Sequence, residues 1–135
     1  MTRVSASIRE QVRQRADHRC EYCRMIEAYS QRSYHVDHII PVNRHRGSTG
    51  VENLAWACTR CNIHKASDIA SYDSDTGQLT PFYNPRTQSW GDHFRMDGSI
   101  IVGKTPIGRV TVRLLQMNTQ NQIDTRQFLI EMGEW

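Results

Sequence analysis

Two Cys-x-x-Cys pairs constrain the fold of this chain more than any other feature of its sequence. Cys20 and Cys23 form the first pair, and Cys58 and Cys61 form the second. Each pair can supply two sulfurs from one tight turn, which is the arrangement of a tetrahedral four-thiolate zinc site. Such a site would close residues 24–57 into a compact unit without a large core. Because the cysteines would fill all four coordination positions, we expect this zinc to be structural.

Disulfides or free thiols are the alternatives to a zinc site. No apolar run approaches the roughly 20 residues of a bilayer span, and the N-terminus lacks the hydrophobic segment of a signal peptide. We therefore expect a cytoplasmic protein that does not enter a membrane, and a reducing compartment favours metal ligation over disulfides. The zinc alone does not imply catalysis, since many such modules only bind nucleic acid or protein.

Arginine carries nearly all of the positive charge. Of 17 basic residues only Lys65 and Lys104 are lysines, and the basic residues are concentrated in residues 1–65, within a net charge of +3. The arginine side chain presents a planar fork of donors that matches phosphate oxygens two at a time. A polyanion could therefore bind the first half of the chain, although a solubilising surface would explain the charge equally well.

The apolar pattern predicts a first helix, with Ser7 as its N-cap and Glu10 completing a capping box. Between the cysteine pairs the pattern predicts a strand, a polar loop and a second strand, at residues 34–40, 43–50 and 51–57. Directly after the second pair it predicts a helix at residues 62–71. Beyond them it predicts a loop, a hairpin and two helices, at residues 72–85, 94–102, 105–118 and 124–132.

An Asp-His pair, Asp37-His38, lies in the predicted first strand, and Asn62 follows the last cysteine. Phosphodiester cleavage needs an activated water, neutralisation of charge on the phosphoryl oxygens and help for the leaving oxygen. A histidine can take a proton from water near neutral pH, and oxygen ligands can hold a divalent cation. Neighbouring side chains of a strand point to opposite sides, so both can act on one substrate only near the end of the strand.

Three ordered motifs in this chain resemble those of the His-Asn-His (HNH) endonucleases. They are Asp37-His38-Ile39-Ile40-Pro41, then Glu52-Asn53-Leu54, and then Cys58-x-x-Cys61-Asn62-x-x-Lys65. The resemblance covers about residues 18–70. It implies an α+β protein with a ββα-metal (His-Me finger) nuclease core stapled by a four-cysteine zinc, an N-terminal helix and a small C-terminal extension of a hairpin and helices. We expect the core with its helix at residues 1–75 and the extension, packed on the core, at residues 76–135.

The same resemblance implies a role for each motif residue. His38 would be the general base, and Asp37 and Asn62 would be ligands of a catalytic divalent metal. Asn53 would hold the loop that orients the histidine. The third motif position is often histidine in the family and is asparagine here. An amide oxygen is a harder ligand than imidazole, so we expect Mg²⁺ or Mn²⁺ at the catalytic site.

We expect a DNA endonuclease that leaves 5′-phosphate and 3′-hydroxyl ends, with RNA as a substrate left open. Basic side chains near the motifs are the candidates for contacts with nucleic acid, namely Lys65, Arg44, Arg46 and His64. The alternative is a non-catalytic, zinc-stapled module that binds nucleic acid. A second pair, Asp92-His93, has no cysteine frame and is expected to be structural.

Overall fold

The structure is a computed structural model that describes residues 4–135. Its α-helices, numbered in chain order, are α1 (Ala6–Arg15), α2 (Val42–His45), α3 (Thr59–Lys65), α4 (Trp90–His93), α5 (Pro106–Leu114) and α6 (Gln120–Glu131). Within residues 4–135, none of the helices has the length and hydrophobicity of a bilayer span.

The strands form three separate antiparallel pairs. They are β1 (His35–His38) with β2 (Leu54–Ala57), β3 (Ala70–Tyr72) with β4 (Leu79–Pro81), and β5 (Phe94–Asp97) with β6 (Ile100–Gly103). Short 3₁₀ turns at Glu27–Tyr29 and Val51–Asn53 precede the first two strands. The expected mixture of helices and small antiparallel strands is therefore confirmed.

The first strand pair and α3 form a ββα unit that includes the second cysteine pair. Asp37 pairs with Ala55 and His38 pairs with Leu54, while every residue of β2 is buried. Helix α3 begins directly after β2, because the Cys58 side chain caps it by accepting from the backbone N–H of Cys61. Helix α1 covers β2, with the Arg9 guanidinium 4.6 Å above the Trp56 ring.

Several predicted boundaries are wrong by a few residues. The N-cap of α1 is Ser5, which accepts from the Ile8 amide, and not Ser7. Helix α3 starts at Thr59 rather than Asn62, since the zinc-binding turn itself begins the helix. Helix α3 also ends at Lys65, earlier than predicted, and the last helix begins at Gln120 rather than Asp124.

Two segments predicted as loops contain regular structure. The segment 43–50 includes most of the short helix α2, and the segment 72–85 includes β4 of the second hairpin. The hairpin at residues 94–102 is confirmed, with its turn at Asp97-Gly98, where Gly98 has a φ of 60°. The start of α5 is also confirmed, with Thr105 as N-cap and Pro106 as the first helical residue.

The C-terminal extension shares one hydrophobic core with the ββα unit. Buried aromatic residues of both parts, such as Trp56 and Phe94, belong to a single cluster. Tyr83 packs edge-on against Phe94 at 5.2 Å between ring centroids, which agrees with core packing of the extension's aromatic residues. The boundary between core and extension at residues 75 and 76 stays a prediction. The β3–β4 hairpin has one strand on each side of that boundary.

A buried ion pair joins that hairpin to α5. Asp73 is 1% exposed, and its two carboxylate oxygens each accept from the Arg109 guanidinium at 3.0 Å. The hydrogen bonds from Arg109 and the Thr76 amide lower the pKa of Asp73 below its ordinary value. Protonation of Asp73 therefore favours the unfolded state. The ionised carboxylate stabilises the fold above the unfolded pKa, and this stabilisation is lost as the pH falls through the folded pKa.

We predict that Asp73→Asn lowers the free energy of unfolding at neutral pH and flattens its fall at acid pH. Chemical denaturation between about pH 6 and about pH 3 measures both effects. Asp75→Asn is the matched control, because Asp75 also faces Arg109, at 3.3 Å, but is 66% exposed. Identical pH profiles for wild type and Asp73→Asn would contradict the assignment of this ion pair.

Candidate active site

Four buried cysteine sulfurs form the cluster that the sequence predicts. All four Sγ atoms lie within 4.8 Å of one another, and those of Cys23 and Cys58 are 3.7 Å apart. Two sulfurs bound to one tetrahedral zinc at about 2.3 Å are roughly 3.8 Å apart. The separations fit zinc ligation and are far longer than a disulfide bond of about 2.05 Å. The four cysteines are therefore arranged as a structural zinc site.

Backbone amides support both sulfur pairs. The Cys23 amide faces Cys20 Sγ at 3.5 Å, and the Cys61 amide faces Cys58 Sγ at 3.4 Å. Hydrogen bonds from Cys20 and the other thiols lower the pKa of Cys58. Contacts with the same thiols raise the pKa values of Cys23 and Cys61. The pKa values of neighbouring thiols move apart in this way when one thiol is ionised and the others keep their protons and donate to it.

The first zinc turn also pairs with β2. The Glu21 amide donates to the Trp56 carbonyl, and the Trp56 amide donates to the Glu21 carboxylate, both at 2.8 Å. Burial raises the pKa of Glu21, while the Trp56 amide and the Arg86 guanidinium oppose that shift. These bonds fix residue 22 beside β1, where its side chain reaches the predicted catalytic residues.

An open groove of about 650 Å³, which we call the active-site groove, lies between β1, α2 and α3. It brings together the three residues predicted to act as general base or metal ligands, Asp37, His38 and Asn62. Basic side chains from two other elements, Arg9 of α1 and Arg44 of α2, line the same groove. The groove thus combines a carboxylate, an imidazole and an amide with two guanidinium groups.

The Asp37 carboxylate is 6% exposed and makes two interior contacts. Tyr22 Oη donates to Oδ2 at 2.6 Å, and Lys65 Nζ donates to Oδ1 at 3.2 Å. Burial raises the pKa of Asp37, and the Lys65 charge opposes the shift. Burial also raises the pKa of Tyr22 well above its ordinary value, so this hydroxyl stays protonated and remains a donor.

Lys65 is not a surface residue, so its predicted contact with a phosphate is wrong. Its side chain is 1% exposed. Its ammonium group donates to Asp37 Oδ1, to the His38 carbonyl at 3.3 Å and to the Ile39 carbonyl at 2.9 Å. These three acceptors match its three N–H donors. Lys65 therefore fixes the backbone that carries the Asp-His pair.

His38 is the last residue of β1, and its side chain is half-buried in the wall of the active-site groove. Its Nε2 atom is shielded from solvent and has no hydrogen-bond partner within residues 4–135. Because residue 38 lines the groove, its imidazole in the neutral form can accept a proton from a group bound there. The strand end lets residues 37 and 38 both line the groove, although their side chains alternate along the strand.

The Asn53 side chain holds the loop that follows β1. Its Oδ1 accepts from the Ile40 amide at 2.9 Å, and its Nδ2 donates to the carbonyls of Ile40 and Ser48, both at 2.8 Å. Gly47 lies so close that a Cβ atom there would overlap the Ile40 carbonyl. Asn53 is thus a positioning residue for the backbone directly after His38.

Asn62 lies on the side of α3 that faces the active-site groove and is half-buried. Its backbone amide is bonded to the Cys58 carbonyl at 2.9 Å, whereas its side chain makes no hydrogen bond within the described residues. Tyr22 and Lys65 use two of the roughly four acceptor positions of the Asp37 carboxylate. A carboxylate and a free amide oxygen in one groove are a donor set that fits a hard divalent cation.

The remaining predicted contacts with nucleic acid are distributed around the groove. Arg44 is exposed and lines it. Arg46 is exposed at the C-cap of α2, with a φ of 60°, and does not line it. His64 lies on the opposite side of α3, beside Arg60.

Two residues of the site, Tyr22 and Arg9, are not among the residues that the sequence predicts. Tyr22 lies inside the first Cys-x-x-Cys pair, so its position beside a zinc ligand was the only signal that it faces the site. Arg9 lies on α1, and its guanidinium donates to the Tyr34 carbonyl at 2.7 Å. Only the packing of α1 on β2 brings it to the groove.

The cysteine cluster, the antiparallel strand pair and the following helix together define a zinc-stapled ββα core. Residues 20–68 match the family model described as HNH endonuclease. The predicted resemblance to the HNH endonucleases is therefore confirmed for this segment.

The chain is also similar to the Septu protein PtuB of Bacillus thuringiensis. The two are 25% identical over 132 residues, which cover 88% of this chain and 49% of that protein. The chain thus spans about half the length of this curated relative. No solved structure matches the chain.

We predict that Asn53→Ala destabilises the protein by about 2 kcal/mol, because it leaves partly buried backbone groups of Ile40 and Ser48 without partners. The free energy of unfolding in urea measures this loss, and hydrogen exchange should show a faster Ile40 amide. Asn43→Ala is the matched control, since Asn43 is exposed in the same region. Equal losses in both variants would contradict the positioning role of Asn53.

Proposed function

We propose that this domain is a divalent-metal-dependent endonuclease that hydrolyses phosphodiester bonds of DNA. The observation that carries the proposal is the active-site groove, where Asp37, His38 and Asn62 meet beside Arg9 and Arg44. The match of residues 20–68 to the HNH endonuclease family supports a nuclease in general. The residue roles, the products and the metal are our proposal.

His38 is the general base of the proposed reaction. Its imidazole takes a proton from the attacking water, which then attacks the phosphorus in line with the leaving 3′ oxygen. The bond from phosphorus to the 3′ oxygen breaks and that oxygen takes a proton from solvent water, so the products carry 5′-phosphate and 3′-hydroxyl ends. Proton transfer of this kind contributes on the order of 100- to 10,000-fold to a rate.

Asp37 and Asn62 are the proposed ligands of the catalytic metal. When bound, Mg²⁺ or Mn²⁺ would neutralise charge on the phosphoryl group and on the leaving oxygen. Tyr22 orients the carboxylate through its 2.6 Å hydrogen bond. Lys65 holds the same carboxylate and the carbonyl of His38, so one buried cation sets the relative position of both groups.

Arg9 and Arg44 are the proposed contacts with the phosphates next to the scissile bond. Both line the active-site groove, and Arg44 is exposed at its rim. A guanidinium group can bind a phosphate through two parallel hydrogen bonds. Contacts of this kind position the backbone without reading its sequence, so we expect low sequence selectivity.

The test is cleavage of supercoiled plasmid DNA with Mg²⁺ or Mn²⁺. Wild type should nick the plasmid, and His38→Ala should lower the rate on the order of 100- to 10,000-fold, because it removes the base. DNA ligase should reseal the nicks, as 5′-phosphate and 3′-hydroxyl ends allow. His18→Ala is the control, since the His18 side chain is exposed and takes part in none of the described hydrogen bonds.

Equal cleavage by wild type and His38→Ala would contradict the role of His38. Absence of cleavage by wild type, with either metal and with DNA or RNA, would contradict the enzyme. A wild-type protein that retards DNA in a gel without cutting it would instead support the non-catalytic binding module. Circular dichroism and zinc content of each variant verify that the fold is intact.

A further inference from the structure

A second groove lies on the side of α3 opposite the active-site groove. This α3–α6 groove has a volume of about 690 Å³ and runs between α3, the chain around residue 30 and α6. Arg32, Arg60 and His64 line one part of it, and Asn121 of α6 lines the facing wall. None of the catalytic roles proposed above uses this groove.

The charge of the α3–α6 groove is positive and is not neutralised. None of the residues that line it is acidic. Within residues 4–135, neither Arg32 nor Arg60 takes part in an ion pair, in contrast to Arg86 and Arg109. The groove therefore carries two guanidinium groups whose charge is available to an anion.

The Arg60 side chain is only partly saturated with hydrogen bonds. Its Nη2 atom lies 3.5 Å from His64 Nε2, so a cation faces an imidazole rather than a carboxylate. Its Nε atom is shielded from solvent and has no partner within the described residues. An anionic oxygen bound in the groove would give the Arg60 guanidinium the charged acceptor that it lacks.

Helix α3 separates the two grooves. Its residues advance about 100° each around the axis, at 3.6 residues per turn, so Asn62 faces the active-site groove while Arg60 and His64 face the other side. A helix with its side chains is roughly 10–12 Å wide. A nucleic acid that crosses α3 would therefore meet both grooves at once.

The rim of the α3–α6 groove also carries exposed apolar side chains. Tyr29 is 46% exposed and Ile63 is 60% exposed. Exposed aromatic and aliphatic surface beside unpaired arginines suits nucleic acid, because bases stack on aromatic rings while guanidinium groups bind the backbone. A small inorganic anion would make no use of this apolar surface.

We propose that the α3–α6 groove binds the phosphate backbone of the nucleic acid substrate, on the far side of α3 from the scissile bond. Arg32 and Arg60 bind phosphates, and Tyr29 contacts a base. This inference rests on the proposed nuclease function and deepens it, since it assigns a substrate-binding surface outside the active-site groove.

The test measures binding of DNA by the cleavage-deficient His38→Ala protein as a function of salt. Arg60→Gln in this background should weaken binding on the order of tenfold and reduce the slope of log affinity against log salt by about one. The double variant Arg32→Gln/Arg60→Gln should reduce the slope by about two. Arg95→Gln is matched in charge and should change neither value, because Arg95 is exposed on β5 and does not line this groove.

Cleavage by Arg60→Gln with His38 intact separates the two proposals. We expect KM for DNA to rise on the order of tenfold while kcat stays within about twofold, since Arg60 binds substrate outside the reacting groups. Cleavage by wild type with the same KM for Arg60→Gln and Arg95→Gln would overturn the groove assignment and leave the nuclease function standing. Absence of both binding and cleavage in wild type would overturn both.

Discussion

Four buried thiols hold together the ββα unit on which the candidate site lies. The cysteine pairs join a turn near residue 20 to the junction of β2 and α3, and the same turn hydrogen-bonds with β2 through Glu21. A short strand pair and a seven-residue helix bury little apolar surface by themselves. Cross-linking by a metal offsets that deficit, because the binding free energy of a structural zinc becomes folding free energy.

The buried ammonium group of Lys65 connects the cysteine cluster to the Asp-His pair. Lys65, one turn after the last cysteine, binds Asp37 and the carbonyls of His38 and Ile39, while Tyr22, between the first two cysteines, binds the other oxygen of Asp37. The Asp37 carboxylate is thus held by one residue inside the first cysteine turn and by one residue of the helix that begins at the second cysteine pair. The extension reinforces this arrangement, since Trp90 Nε1 donates to the Tyr22 carbonyl at 2.8 Å and Arg86 binds Glu21.

The sequence predicted the zinc cluster, the strand pair, the third hairpin and the start of α5, because each depends on local chemistry such as cysteine spacing, a Pro41 stop or a Thr-Pro cap. The position of Lys65 was predicted wrongly, because the sequence alone does not distinguish an exposed lysine from a buried one. Only the structure shows that three interior acceptors surround its ammonium group. The sequence also missed the β3–β4 hairpin, whose partners include α5 and the Asp73–Arg109 pair, contacts that no local pattern encodes. The active-site groove depends equally on α1, which contributes Arg9 from a distant part of the chain.

The most direct test of this account is a titration of the reduced, metal-free protein with Co²⁺, followed by its absorption spectrum. Cobalt in a tetrahedral four-sulfur site gives intense visible bands together with thiolate-to-metal charge-transfer bands. We expect these bands to saturate at one ion per chain, to disappear when Zn²⁺ displaces the cobalt, and to be weakened or shifted in Cys61→Ser. Saturation without the four-sulfur bands, or with identical spectra for wild type and Cys61→Ser, would contradict the zinc staple on which the proposed nuclease site is built.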